Sequence, residues 1–248
     1  LGFGPTIRWK SDDPARVRNQ LQGLFILSLA IGMVLPFVID GVLHISAGFG
    51  LAAALWVGIT TVWAYIKRVR SSSRVPLAFT GMTLAHLGVA LFVAGVTMVM
   101  TYEKEKDLRM EPGQTYTMSG YEFKFLGTRK VQGPNYVADE GRIELYRNGE
   151  LIKELNPQKR IYNDQNNPMT EAAIDVGFMR DVYSALGEPL GNGAWSMRLY
   201  HKPLIRWIWL GSLLMTIGGV LAVSDKRYRR SRVAKRQAQI DVQVVVQS

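Results

Sequence analysis

Three histidines are the whole inventory of likely iron or zinc ligands, because the chain has no cysteine to offer a thiolate. One of them, His86, stands near the middle of an apolar run from Leu77 to Met100, twenty-four residues without Asp, Glu, Lys or Arg. About 20 apolar residues rising ~1.5 Å each match a hydrocarbon core of about 30 Å, so the pattern puts this imidazole at membrane depth. An ionisable group there is costly unless it faces a protein interior, a cavity or a cofactor. On a helix His86 shares a face with Phe79, Met82, Thr83, Val89, Ala90 and Val93. The small residues Gly81, Ala85, Gly88 and Gly95 are expected to border it as a stripe against which something flat or closely packed lies.

Two chemistries suit that setting. One is metal ligation or proton relay, with axial ligation of haem iron the best fit and the second ring nitrogen still needing a partner of its own. The other is structural, a neutral imidazole hydrogen-bonded to a neighbouring helix. His44 and His201 fall at the ends of apolar runs, far in depth from His86, so a six-coordinate haem needs its other ligand from a helix outside this chain. No Gly-rich phosphate loop, no supported Ser, His and Asp arrangement and no pair of histidines four apart is present. The acid pairs Asp12-Asp13 and Asp139-Glu140 lie in polar segments and read as solvated.

The elements that must position His86 follow from hydropathy and charge. Leu21 to Ile39, Leu43 to Ile66, Leu77 to Met100 and Pro203 to Val223 are four apolar runs, and a mean hydropathy of +0.03 is their sum with very polar intervals. The net charge of +10 divides in the same way. Residues 102–202 hold 14 Lys and Arg against 15 Asp and Glu, a net of −1, so the rest carries +11. The basic character therefore belongs to the membrane flanks, and a nucleic-acid surface is not needed to explain it. Lys67, Arg68, Arg70 and Arg74 close the second run, and seven basic residues fill Lys226 to Arg236, whereas the Asp40 turn has none. By the positive-inside rule the N-terminal segment, that connector and the tail are cytoplasmic, and 102–202 lies outside, in the periplasm of a bacterium. The expected organisation is a cytoplasmic segment over 1–20 and three spans within 21–101, at about 21–39, 43–66 and 77–100. A periplasmic domain over 102–202, a fourth span at 203–224 and a basic tail over 225–248 complete it. Leu1 to Thr6 shows no signal-peptide pattern and reads as an internal stretch, as if the chain were the C-terminal fragment of a longer membrane protein.

The 102–202 segment reads as strands. Tyr121, Phe123 and Phe125 alternate with Glu122 and Lys124, while Asn148-Gly149 between two alternating runs is a hairpin signal. Pro112-Gly113 and Ser119-Gly120 mark further turns, and Trp195, Met197 and Leu199 alternate in a last strand. This predicts a small β-barrel or sandwich inserted between the third and fourth helices of a polytopic α-helical membrane protein. Asn156 to Met169 is polar and resembles a long loop, where Arg160 and Tyr162 are candidate partner-binding residues.

Several separate segments, in order, resemble one family. They include Leu1-Gly-Phe-Gly-Pro5, Gly81-Met-Thr-Leu-Ala-His86-Leu-Gly88, Gly133-Pro-Asn-Tyr136, Met169-Thr-Glu-Ala-Ala-Ile174, Ala185-Leu-Gly-Glu-Pro189 and Lys202-Pro-Leu-Ile-Arg-Trp-Ile-Trp209. Taken together over nearly the whole chain, they are similar to the C-terminal part of the CcmF/NrfE family of cytochrome c-type biogenesis proteins. The family's tryptophan-rich haem-handling motif, its outer histidines and its other intramembrane haem ligand have no counterpart here, so no complete enzyme activity is expected of this chain alone.

The resemblance implies an inner-membrane component of a cytochrome c haem lyase that takes haem from the periplasmic chaperone CcmE. With CcmH-type proteins presenting apocytochrome c, it would help attach that haem. It implies a haem b within the bilayer, with His86 as one axial ligand to its iron, and no catalytic residue in this chain. The absence of cysteine fits such a division of labour. Two other functions compete: a docking module of the maturation complex in which His86 is structural, and a haem transporter. The second is disfavoured because no inverted repeat or discontinuous helix pair is visible.

Overall fold

The computed structural model describes residues 1–2, 14–71, 75–164 and 167–225. Arg8, Lys10, Asp12-Asp13, Arg74 and the basic run from Lys226 to Arg236 lie outside the described residues. The chain forms two units, one of helices and one of strands, with the strands inserted between the third and fourth helices.

The helical unit contains α1 (Pro14–Asp40), α2 (Ile45–Ser71), α3 (Leu77–Tyr102) and α4 (Ile205–Val223). All four are long and apolar enough to cross a membrane, with mean hydropathies of 2.2, 1.7, 1.9 and 1.5. Helix α1 begins several residues before the apolar run it carries, with Pro14 at its first turn, where a missing N–H costs nothing. Small residues bring the helix axes close. Gly32 of α1 lies against the backbone of Ala52 in α2, and Phe25 meets Trp56 edge to face at 5.4 Å between centroids. Gly50 of α2 faces Thr97 of α3, a Cβ at Gly58 would meet Ala90 at 3.7 Å, and Tyr65 stacks on Phe79 at 6.2 Å.

Helices α3 and α4 pack antiparallel through paired glycines. A Cβ at Gly81 would stand 2.5 Å from the Gly218 carbonyl oxygen, and one at Gly88 would stand 2.6 Å from that of Gly211. The two pairs are seven residues apart on each helix, so the contact repeats after two turns. Hydrocarbon tails are as apolar as leucine, so helix association in a bilayer depends on such close backbone approach. The carboxylate of Asp225, just past α4, accepts the Ala78 N–H at 2.9 Å and so satisfies one of the free donors of the first turn of α3.

The second unit is a sandwich of two antiparallel sheets. One has the order β1 (Lys104–Met110), β10 (Ala194–Pro203), β9 (Arg180–Gly191), β8 (Ala173–Val176). The other has the order β2 (Thr115–Met118), β3 (Tyr121–Gln132), β4 (Tyr136–Arg147), β6 (Gln158–Tyr162), β7 (Met169–Glu171), with β5 (Glu150–Leu155) also paired to β4. Alternating rows fill the space between the sheets: Phe123, Phe125, Ile143 and Leu145 from one, Val182, Leu186, Met197 and Leu199 from the other, all 0% exposed. Three hairpins turn on residues with positive φ, Ser119-Gly120 (53° and 76°), Asn148-Gly149 (52° and 80°) and Asn192-Gly193 (53° and 77°). Two successive positive φ values give the type I′ geometry that matches strand twist.

The expected loop from Asn156 to Met169 is corrected by the fold. Its residues Gln158–Tyr162 form strand β6, which pairs with β4 from Tyr136↔Tyr162 to Glu140↔Gln158 and with β7 from Gln158↔Glu171 to Arg160↔Met169. Its one aliphatic residue, Ile161, is exposed, so the apolar-inward alternation that marks a half-buried strand is missing. Gln165 and Asn166 lie outside the described residues.

Candidate functional site

His86 sits two and a half turns into α3, between Ala85 and Leu87. Its Nδ1 is 2.8 Å from the carbonyl oxygen of Met82, one turn earlier. A carbonyl only accepts, so Nδ1 must carry the proton, and in the neutral imidazole the lone pair is then on Nε2. This is the arrangement in which a histidine ligates a metal through Nε2 while a backbone carbonyl fixes its tautomer and ring orientation.

His86 lies on the expected side of α3, but the small-residue stripe does not lie open beside it. Five residues at ~100° each place it about 140° round the helix from Gly81. Gly81 and Gly88 are taken by Gly218 and Gly211 of α4, so the small-residue stripe holds a helix and borders no open face at His86. The histidine shares the side of Phe79 and Ala90, as the periodicity predicts, and that side meets Tyr65 and Gly58 of α2. In that antiparallel register Thr61 of α2 is level with His86; it is 1% exposed and its hydroxyl has no partner. Nearby, Thr60 and Thr83 spend their hydroxyls on the carbonyls of Trp56 and Phe79 one turn back. The His86 Nε2 and the Thr61 hydroxyl are thus two polar atoms at membrane depth that the hydrogen bonds of α2 and α3 leave unused.

The other histidines belong elsewhere. His44 Nε2 is 2.9 Å from Asp40 Oδ2 at the junction of α1 and α2. His201, on β10, has a buried Nδ1 without a partner and lies 5.9 Å from the Tyr121 ring. Among the described residues no group of three or more His, Asp or Glu side chains is placed to hold a metal ion.

Arg160 and Tyr162 come together on one face of β6. Arg160 Nη1 donates to the Tyr162 hydroxyl at 3.3 Å, its Nε donates to Gln158 at 2.8 Å, and its guanidinium covers the Tyr136 ring at 4.4 Å. The hydrogen bond to Tyr162 is the largest influence raising the Arg160 pKa. The pair is thus held in place by β4 and β6, and it is Lys159 that reaches across to Gly187 O at 3.0 Å and to the Glu188 carboxylate.

Four membrane-length helices carrying a single membrane-depth histidine, with a β-sandwich inserted before the last, define a polytopic membrane protein with an extramembrane sandwich. Residues 101–203 match the family described as the CcmF C-terminal beta-sandwich. The chain is 39% identical over 230 residues to the "Cytochrome c-type biogenesis protein CcmF" of Escherichia coli, covering 93% of this chain and 36% of that protein. It is 42% identical over 240 residues to the CcmF of Pseudomonas aeruginosa (92% and 36%), and 33% identical over 189 residues to the NrfE of Haemophilus influenzae (76% and 29%). The solved structure titled "Cytochrome c Heme Lyase CcmF" superposes with a TM-score of 0.75 at 22% identity, over 90% of this chain and 37% of that one, and shows the same fold. The chain belongs to the CcmF/NrfE family, corresponding to its C-terminal part. It spans a little over a third of the length of the CcmF relatives it matches, 36% for both E. coli and P. aeruginosa.

Proposed function

We propose that this chain acts in cytochrome c maturation as the C-terminal part of a haem lyase component and supplies one axial ligand, His86 Nε2, to a b-type haem within the membrane. The observation that carries the reading is the 2.8 Å hydrogen bond from His86 Nδ1 to Met82, which leaves Nε2 as the free electron pair. A bound haem would supply one-electron redox chemistry at that depth. The chain's own contribution is to hold the imidazole: Met82 sets the tautomer, and the α3–α4 glycine contact fixes the helix that bears it. The second axial ligand comes from outside this chain, since His44 and His201 are engaged in other settings.

In the same reading residues 102–202 face the periplasm of a bacterial inner membrane. There the β6–β7 hairpin, with Arg160 and Tyr162, docks the haem chaperone CcmE or CcmH-type proteins that present apocytochrome c. A docking role without haem ligation is the second reading, and it is favoured by the half-buried polar residues of β6 beside the exposed Ile161, which the core does not explain.

The test is the reduced-minus-oxidised spectrum of membranes from cells that depend on this protein for cytochrome c. His86→Ala is expected to lose the b-type signal or turn it five-coordinate, to stop maturation and to leave protein levels near normal. His86→Gly with added imidazole is expected to restore the signal. An unchanged spectrum in His86→Ala membranes overturns the ligand assignment and leaves the docking reading. If Arg160→Ala with Tyr162→Ala leaves co-purification of CcmE and CcmH-type proteins intact, the hairpin is not the docking surface.

A further inference from the structure

The inward rows of the sandwich change character at one end, the end where its two chain termini meet. On β10 the row Trp195, Met197, Leu199 continues to His201, and on β1 the residue directly opposite His201 is Lys104. On β4 the row Ile143, Leu145 continues to Arg147. On β9 Arg180 stands next beyond Val182, and on β3 the row starts with Tyr121, 3% exposed. Apolar core thus gives way to Arg147, Arg180 and His201 around the Tyr121 ring, with Lys104 opposite His201. The Arg147 and Arg180 guanidinium groups lie 5.1 and 4.7 Å from the centre of that ring, and Arg180 Nε donates to its hydroxyl at 2.7 Å.

The acids do not balance this group. Asp175 answers Arg180 at 2.5 Å and also lies 3.9 Å from Lys153, while Glu103 and Asp181 are occupied by Lys202 and Arg206 at 2.8 and 3.2 Å. Among the described residues neither Lys104 nor Arg147 forms an ion pair, and the buried Nδ1 of His201 has no hydrogen-bond partner. Burial, followed by repulsion from Arg180, Lys104 and Arg147, pushes the His201 pKa below its ordinary value. The exposed Lys104 and Arg147, beside the imidazole of His201, are free to take an anion that is not part of the chain.

The same end presents an apolar tip. Phe178 and Met179, in the turn between β8 and β9, are 65% and 59% exposed, and the Met179 carbonyl accepts the Leu204 N–H at 2.8 Å, one residue before α4. Lys104 likewise follows α3 by only two residues. An exposed Phe-Met pair beside unanswered cations, tied by covalent connection to two membrane-length helices, has the chemistry of an interfacial lipid contact.

We propose that this end of the sandwich binds the phosphate of an anionic lipid headgroup through the exposed Lys104 and Arg147, close enough for His201 to sense its charge, with Phe178 and Met179 set among the adjoining acyl chains. The site lies in the β unit and does not depend on haem ligation at His86. Its consequence is that an anionic leaflet orients the sandwich, as a neutral leaflet would not.

Because the chain has only three histidines, the test can read His201 directly. The full chain with ring-labelled histidine is placed in nanodiscs of phosphatidylcholine alone or with phosphatidylglycerol, and the His201 resonance, identified by its loss in His201→Gln, is titrated. Phosphatidylglycerol is expected to move the titration midpoint up by about one pH unit, because a nearby negative charge favours imidazolium. The double variant Lys104→Gln, Arg147→Gln, whose side chains are exposed and outside the core, is expected to abolish that dependence. A midpoint that is the same in both lipids overturns the proposal. So does one that moves only when protoporphyrin is added and not its dimethyl ester, because the ligand is then a porphyrin carboxylate; the iron-free ring keeps His86 out of the result.

Discussion

Asp225 reaches back to the start of α3, its carboxylate 2.9 Å from the Ala78 N–H across 147 positions of sequence. The chain leaving the last helix therefore caps the helix that bears His86. Asp225 is only 6% exposed, so this is a buried charge held by a helix terminus, where the dipole favours it. Replacing a capping carboxylate by a methyl group costs about 1 kcal/mol. Asp225→Ala is expected to lower the thermal midpoint of the helical unit in detergent micelles and to increase hydrogen exchange at residues 77–80. Unchanged exchange there would show that the bond has no structural consequence.

The glycine pairs between α3 and α4 set a stricter requirement. At Gly88 any side chain would meet the Gly211 carbonyl oxygen at 2.6 Å, and backbone cannot swing aside as a side-chain tip can. Gly88→Leu is expected to separate the helices at a cost of about 1–3 kcal/mol, the range for overpacking a tight interface. Gly219→Ala, where no atom lies within 4 Å, is the control expected to be neutral. Crosslinking yield between cysteines introduced at Ala85 and Leu214 would report the separation.

In the sandwich, Glu140 is buried on β4. Burial raises its pKa, but hydrogen bonds from Gln158 at 2.6 Å and Arg129 at 2.7 Å outweigh it and leave the carboxyl below its ordinary value of 4.5. A depressed carboxylate stabilises the fold above its unfolded pKa, and that stabilisation is lost as pH falls through the folded value. The melting midpoint of the β unit is thus expected to fall on acidification from pH 5 toward pH 3. Glu140→Gln is expected to cost about 1 kcal/mol at pH 7 and to flatten that acid limb. An acid limb as steep in the variant as in the parent would place the effect in other carboxylates.

Orientation is open to a direct test because the chain has no cysteine. Ser119→Cys, in the β2–β3 turn, is expected to react with an impermeant thiol reagent in intact cells from which the outer membrane has been permeabilised. Ser72→Cys, in the basic connector, is expected to stay protected. The reverse pattern would turn the protein over in the membrane.

Much of the fold was legible because hydropathy and turn chemistry are local. Four apolar runs marked α1 to α4, and Asn148-Gly149 marked a hairpin and Ser119-Gly120 a turn before any pairing was known. Strand β6 was not legible, because Lys159, Arg160 and Tyr162 are held by partners on β4 and β9 that only the sheet supplies. At the site, position 86 could be read from membrane depth, but its surroundings could not. Helical periodicity puts glycines on a stripe without saying which helix fills it, and the stripe proved to belong to α4. Asp225 acts across helices at long sequence separation and so left no local signal, and Thr61 looks like one more small residue in an apolar run.

Strands β1 and β10 are neighbours, with Lys104 directly opposite His201, so the first and last residues of the sandwich stand about 5 Å apart at their α-carbons although nearly a hundred residues separate them. Topologically the domain is a cassette: its entrance and exit coincide, and a turn of a few residues would close the gap if it were excised. The α3–α4 hairpin then has the same path with or without its cargo. The sandwich can therefore be lengthened, exchanged or lost over evolutionary time while the glycine contacts and the helix carrying His86 stay as they are. A force that drew the ends of α3 and α4 apart would open β1 from β10 one rung at a time, starting at Lys104 and His201, before it strained the core.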